Sequence, residues 1–247
     1  MTDVLARPDL ISGGVRPRII PDPGKQSELY FRSKRCMDVA LTLLLLVCLW
    51  PVLLLIAVCI KLDSSGPVLF TQRRVGVRPR FCSGHVVWDV REFLVYKFRS
   101  MVDDADPAVH QEYIKAFVEG RVDLASDSGS RFKLTHDRRV TRFGRLLRRT
   151  SLDELPQLVN VLKGEMSLVG PRPVPTYEVS EYEERHYERL AALPGITGIW
   201  QVRGRCQVPF EQMVQMDIEY VHTRSTWLDI RLLLLTVPAV LSGRGAE

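Results

Sequence analysis

Apolar positions fall into three patterns along this chain. From Val39 to Ile60 the sequence VALTLLLLVCLWPVLLLIAVCI runs 22 residues without a charge. Farther on, Leu155, Leu158, Val159 and Leu162 recur at i, i+3, i+4 and i+7 until Gly164, the spacing of an amphipathic helix closed by a glycine. Between these lie shorter stretches. Val68 to Gln72 reads as a strand after a turn, and HVVWDV and EFLVYKF suggest a hairpin ending at Lys97 and Arg99. Residues 103–135 are polar, with one helix predicted around Gln111–Glu119 and a Ser/Gly/Asp loop after it. Near the C-terminus RLLLLTVPAVL is apolar but too short to span a bilayer, which predicts a core or surface-lying helix.

The uncharged run is long enough for one membrane span. It lies too far from the N-terminus for an ordinary signal peptide, and no small-residue cleavage site follows it. Pro51 at its middle removes a backbone donor and bends or breaks a helix. Basic residues flank both ends: Arg32, Lys34 and Arg35 before, Lys61, Arg73 and Arg74 after. Positive flanks favour the cytoplasmic side, so both ends are expected there. Each half is roughly 16 Å long at ~1.5 Å per residue, about one leaflet of a ~30 Å core. The favoured reading is a re-entrant wedge over residues 32–62, broken at Pro51, with a straight span as the alternative. Residues 1–31 are expected to be a disordered tail, and residues 63–247 a single cytosolic domain. The fold class is α+β, mostly helical.

Charge and cysteines narrow the compartment and the partner. The formal net charge is +5 over 247 residues, which points to an anionic partner: nucleic acid, a phosphorylated ligand or a lipid surface. Cys36, Cys48, Cys59, Cys82 and Cys206 are odd in number and scattered, which argues against a disulfide framework or zinc site and for reduced thiols in the cytosol. His85, His110, His136, His186 and His222 lack ligand spacing. Nucleic-acid binders usually interleave aromatics with their basic residues. The arginine stripe here does not.

That stripe is HDRRVTRFGRLLRRT, with Arg138, Arg142, Arg145 and Arg149 on one helical face and Phe143, Leu146 and Leu147 on another. It runs into SLDELPQ, where Asp153 and Glu154 stand side by side. Pro156 is tolerable only in a first helical turn, which places the N-cap at Asp153 or just before. Ser151 and Glu154 fit a capping box, so the acids could simply neutralise a helix start. The chemical reading uses the same geometry. A helix start and nearby arginines keep carboxylates ionised and attract phosphate. An ionised Asp is a competent nucleophile toward phosphorus, and an adjacent Glu is a suitable oxygen ligand for Mg²⁺.

In chain order, KRCMDVALTLLLLVCLWPVLLLIAVCIKLDSSGPVLFTQRRVG, YKFRSM, RVTRFGRLLRRTSLDELPQLVNVLKGEMSLVGPRP, PGITGIWQVRGR and MDIEYV resemble the bacterial sugar transferase family. These are monotopic phosphoglycosyl transferases that move a sugar-1-phosphate from a nucleotide diphosphate-sugar to polyprenyl phosphate. The resemblance covers residue 32 to the C-terminus. It implies that Asp153 is the nucleophile of a covalent phosphosugar intermediate, that Glu154 binds Mg²⁺, and that the membrane element is re-entrant. Large members carry extra transmembrane helices and a further domain, so this chain resembles the compact form. Two departures stand out: residues 77–96 and residues 103–135 are longer than in the smallest members.

Other positions follow from the same chemistry. Lys97, Arg99, Arg149 and Arg172 are expected to contact phosphate. The stiff VGPRP loop suits Arg172 to a bidentate clamp. Arg203 and Arg205 are weaker candidates, and Asp217 is a further metal ligand or a helix cap. Trp200 and Trp227 belong to the membrane interface or the core. The implied setting is the cytoplasmic face of the bacterial inner membrane, with a UDP-sugar donor, a polyprenyl phosphate acceptor and membrane lipid as partners and exopolysaccharide, capsule or O-antigen assembly as the purpose. A phosphohydrolase of nucleotide-sugars and a basic, non-enzymatic membrane scaffold remain as alternatives. The sugar and the oligomeric state, a homodimer among the options, stay open.

Overall fold

Residues 18–24, 26–82, 85–102, 108–121, 137, 139–203 and 208–241 are described by a computed structural model. Ile19–Pro21 form strand β1, and helix α1 then runs from Glu28 to Asp63. The part of the expected tail from residue 18 onward is therefore structured, while residues 1–17 lie outside the described residues. Ser27 caps α1, its hydroxyl accepting from Tyr30 N. Helix continues through Pro51, so the expected break is not a gap in secondary structure. The helix is long and apolar enough to cross a membrane.

Both ends of α1 dock on the rest of the chain. Tyr30, Lys34, Asp38 and Thr42 form a buried stripe at intervals of four. Within it, Lys34 Nζ donates to Asp229 Oδ2 at 2.9 Å and Val169 O at 3.0 Å, and Leu168 N donates to Asp38 Oδ1. At the other end Ile56 and Ile60 pack against Phe98 and Leu147, and Asp63 accepts from Phe143 N. Between these anchors Leu43, Leu44, Val47, Trp50 and Leu54 are exposed. An apolar stretch left bare between two docked ends is matched to lipid rather than water.

Strands β2 (Leu69–Cys82) and β3 (His85–Phe98) form a long antiparallel hairpin, from Leu69↔Phe98 out to Cys82↔His85. The separate short hairpin expected from HVVWDV and EFLVYKF is thus one strand. The sequence conceals this because the buried face changes along it: Trp88 and Val90 are buried on one side, Phe93 and Val95 on the other. Directly opposed residues share a face, and the register pairs Phe93 with Arg74, Val95 with Gln72 and Lys97 with Phe70. Gln72, Arg74 and Lys97 therefore project from the same side. β1 extends the far end of β3.

The remaining elements close around this sheet. Helix α2 spans Ala108–Val118 and α3 Arg142–Thr150; a 3₁₀ turn, Leu152–Glu154, leads to α4, Gln157–Lys163. Asn160 on α4 is fully buried and ties the helix to β3, donating to Leu94 O and accepting from Tyr96 N. Gly164 ends α4 in the left-handed region, φ 77°, as its glycine predicts. Strands β4 (Ser167–Val169), β5 (Val174–Pro175) and β6 (Gly195–Thr197) are short; β5 pairs with β2, and β4 runs parallel to β6. Helices α5 (Thr176–Val179), α6 (Ile199–Arg203), α7 (Phe210–Thr223) and α8 (Thr226–Leu241) complete the chain, with a 3₁₀ segment at Glu184–Leu190. Helix and sheet are mixed and helix dominates, as the pattern predicts.

Candidate active site

Asp153 and Glu154 do not open a helix. Ser151 instead terminates α3 in a left-handed conformation, φ 57° and ψ 17°, and makes no side-chain cap. Pro156 occupies the N-cap position of α4. The capping-box expectation is therefore wrong: both acids ride on the 3₁₀ turn between two helices. Asp153 is 9% exposed.

Two cations hold Glu154. Lys97 Nζ lies 2.8 Å from Glu154 Oε1, and Arg172 Nη2 approaches the same oxygen at 3.3 Å. Burial lowers the Lys97 pKa, and Glu154 opposes that shift. Arg172 gains its position from backbone. Gly195 N donates to Pro171 O at 2.7 Å and Gly170 N to Thr197 O at 2.9 Å. A Cβ on Gly195 would come within 2.1 Å of Gly170 N, so any side chain there would push the VGPRP loop, and Arg172 with it, off β6.

Arg74 lines a small recess with Lys97, Glu154, Gln157 and Arg172. Its Nη1 donates to Pro173 O and its Nη2 to Gln72 Oε1, and burial lowers its pKa to about 10. The dyad also borders an apolar cavity of about 600 Å³. Leu41, Leu44 and Leu45 of α1 and Leu233, Val237 and Val240 of α8 line it, along with Asp153, Glu154 and Arg172. Glu154 and Arg172 thus border both the cationic recess and the hydrocarbon-lined space, and Asp153 lines the latter.

Several expected residues sit elsewhere. Arg99 is 5% exposed, and its guanidinium donates to Ser64 O and Ser65 O just past the end of α1, tying down that helix end. Arg149 is exposed on α3, as are Arg142 and Arg145, and so is Leu146 on the supposed apolar side. Arg203 pairs with Glu219 at 3.4 Å on the surface. Asp217 is buried with Arg189, whose Nε and Nη2 both donate to its Oδ2, and does not line the dyad's cavity. It forms a buried ion pair with Arg189. Arg138 and Arg205 lie outside the described residues, as do His136, Cys206 and most of the polar loop after α2.

Three residues escaped the sequence reading. Arg74 was counted only as a membrane flank. Arg148 is half-buried, and its buried Nη1 has no hydrogen-bond partner among the described residues. Gln201 lines the cavity with both amide atoms buried and without partners among those residues. Strand parity identifies Arg74 as soon as Lys97 is placed. Arg148 and Arg149 differ only by the phase of α3, which the arginine-rich sequence does not specify.

Glu154, with Asp153 beside it, is the carboxylate pair that could hold a divalent cation; Mg²⁺ keeps several waters and takes one or two carboxylates plus substrate phosphates. Among the described residues no group of three or more His, Cys, Asp or Glu side chains forms a cage, so phosphate oxygens would complete the shell.

A membrane-compatible helix docked over a carboxylate pair, with cations around Glu154 and a hydrocarbon-lined cavity beside the pair, suits an anionic, amphiphilic substrate. Residues 29–243 match the family described as bacterial sugar transferase, and the chain belongs to that family. It is 37% identical over 218 residues to the exopolysaccharide production protein ExoY of Sinorhizobium fredii, covering 87% of this chain and 88% of that protein. It is 40% identical over 223 residues to the UDP-glucose:undecaprenyl-phosphate glucose-1-phosphate transferase of Xanthomonas campestris pv. campestris, and 38% identical over 221 residues to the galactosyl transferase CpsE of Streptococcus agalactiae. Each of these two matches covers 87% of this chain, but only 40% and 43% of the relative's own length.

Proposed function

We propose that this chain transfers a sugar-1-phosphate from a UDP-sugar to polyprenyl phosphate at the cytoplasmic face of a bacterial inner membrane. The observation that carries this reading is a carboxylate pair lining an apolar cavity, with Lys97, Arg74 and Arg172 gathered around Glu154. Phosphates need those cations, and a polyprenyl chain needs the cavity. The names of the relatives, which include a UDP-glucose:undecaprenyl-phosphate transferase and ExoY, support the substrate pair and exopolysaccharide assembly.

In this reading residues 63–247 form the catalytic domain and α1 is its re-entrant membrane element. Docking of both ends of α1 on one domain supports that topology, because a helix that returns to the side it left can touch the same domain twice. Tags at residue 30 and residue 247 should both be cytoplasmic; periplasmic labelling of the first would restore a straight span.

Asp153 attacks the phosphorus that carries the sugar. A bond forms from its carboxylate oxygen, and the bond to the bridging oxygen breaks and releases UMP. The acceptor's phosphate oxygen then attacks the same phosphorus and displaces the Asp153 carboxylate, leaving polyprenyl-diphosphate-sugar. Arg172 and Lys97 neutralise the phosphoryl oxygens, and their shared hold on Glu154 orients that carboxylate. Glu154 would hold Mg²⁺, which supplies charge screening between the attacking anion and the diphosphate. The decisive assay incubates protein, Mg²⁺ and UDP-sugars with and without polyprenyl phosphate. Lipid-dependent turnover to UMP is expected, with no more than one equivalent of UMP and a labelled Asp153 adduct when lipid is absent. Lipid-independent release of sugar phosphate would make the protein a hydrolase, and silence with every sugar a scaffold.

A further inference from the structure

Helix α2 lies between the dyad's hairpin and the arginine-rich helix in sequence, and the proposed chemistry leaves it without a task. Ile114 and Phe117 lock it against Trp200, Phe210 and Met213. This packing fixes its first turn, where His110 is half-buried. His110 Nδ1 lies 2.6 Å from the Tyr177 hydroxyl. Tyr177 in turn sits against the Gln72 amide, and Gln72 Oε1 accepts from Arg74 Nη2 at 2.6 Å. The chain of contacts thus runs from the dyad's recess out to α2.

Its polarity is set at one end. Arginine only donates, so Gln72 must turn its oxygen to Arg74 and its NH₂ toward Tyr177. The tyrosine oxygen then accepts from Gln72, and its O–H donates to His110 Nδ1. That leaves the proton of a neutral imidazole on Nε2. The ring is neutral because burial and the facing charges of Arg74, Arg139, Arg148 and Lys97 lower its pKa to about 4. A fifth cation would be repelled in this basin, whereas a neutral N–H donor there adds hydrogen bonding without repulsion.

We propose that His110 is a donor-binding residue, its Nε2–H hydrogen-bonding the nucleotide-sugar on the α2 side of Arg74, with Tyr177 as the positioning residue that fixes its tautomer. This rests on the transferase reading and adds a specificity determinant outside the dyad.

The test measures UDP-glucose binding by the full-length protein in the Asp153→Asn background, where no turnover depletes the ligand. Adding His110→Ala should weaken binding about 3- to 10-fold, the range of one neutral hydrogen bond. His110→Gln should restore most of it, since a glutamine amide offers an N–H close to the place of Nε2. Tyr177→Phe should fall between the two. In the otherwise native protein, KM for the donor should rise while kcat and the acceptor's KM hold. Parallel titrations with UDP and UDP-galactose separate a contact to the diphosphate from one to the sugar. Unchanged affinity in His110→Ala overturns the proposal, as does equal weakening in the Ala and Gln variants with a matching drop in Tm, which would mean packing alone. If the native protein binds UDP-glucose but transfers nothing from it, the transferase reading fails and the binding assignment stands. If it binds no nucleotide-sugar, both fall.

Discussion

Of the buried acid–base clusters among the described residues, two are opposites. Around Arg189, Glu178 and Asp217 accept its donors and Tyr182 adds a hydroxyl; the three charged side chains are at most 1% exposed. Around Glu154 the arithmetic reverses. Asp153 and Glu154 stand with Lys97, Arg74 and Arg172, and the group borders a cavity. Acids in excess over a single arginine close on themselves, and burial raises the Asp217 pKa to about 6. Cations in excess beside an open space are built for an anion that arrives from outside. An ion pair alone therefore says little about function, and the sign of the local surplus says much.

Substitutions should divide along that line. Asp153→Asn is expected to lower turnover by at least about 10³-fold while Tm stays near the native value, read by UMP release and thermal unfolding. Wild-type turnover in this variant would end the covalent mechanism. Arg189→Ala leaves two buried carboxylates facing each other, a loss of about 3–5 kcal/mol of stability, visible as poor yield or a lower Tm. If it folds normally and only activity falls, the cluster is functional and the contrast collapses. Arg172→Ala and Lys97→Ala each lose a charge-assisted hydrogen bond, about 1.5–3 kcal/mol, or roughly 10- to 150-fold in kcat/KM. Arg203→Ala removes a surface pair worth at most about 1 kcal/mol and should leave kinetics alone.

The smallest effect is a pH slope. His110 has a folded pKa of about 4 against an ordinary 6.5, so between those values the unfolded chain binds the proton and the folded one does not. Stability contributed by the neutral ring is complete above pH 6.5 and is lost as pH falls toward 4. Unfolding curves of His110→Gln should flatten in this window relative to the native protein. Parallel slopes would place the imidazole in ordinary solvent.

Local chemistry was legible where it is local. The apolar run, the stop at Gly164 and the adjacent acids Asp153 and Glu154 declare themselves within a few residues. What the sequence concealed depends on partners far away. Asp217 looks like a free ligand until Arg189 arrives from 28 positions earlier, and Arg99 looks like a phosphate contact until Ser64 and Ser65 claim it. The strand β3 was split in two because its buried side changes between Val90 and Phe93, so no single alternation runs through it. Ser151 reads as a helix cap, yet it ends the previous helix instead. Only the packed structure decides which helix a junction residue serves.

The hairpin also defines how this protein tolerates change. Gln72, Arg74 and Lys97 share a face because β2 and β3 pair one to one from Leu69↔Phe98 outward. Adding one residue to each strand beyond Cys82 and His85 extends the zipper at its free tip and leaves every pairing below it intact. Adding one residue to a single strand below Arg74 turns the guanidinium to the opposite face. Length variation is thus cheap in matched increments at the tip and ruinous near the base. The tip of the hairpin is accordingly the place where an epitope, a fluorophore or a partner-binding insert can be grafted without moving the recess.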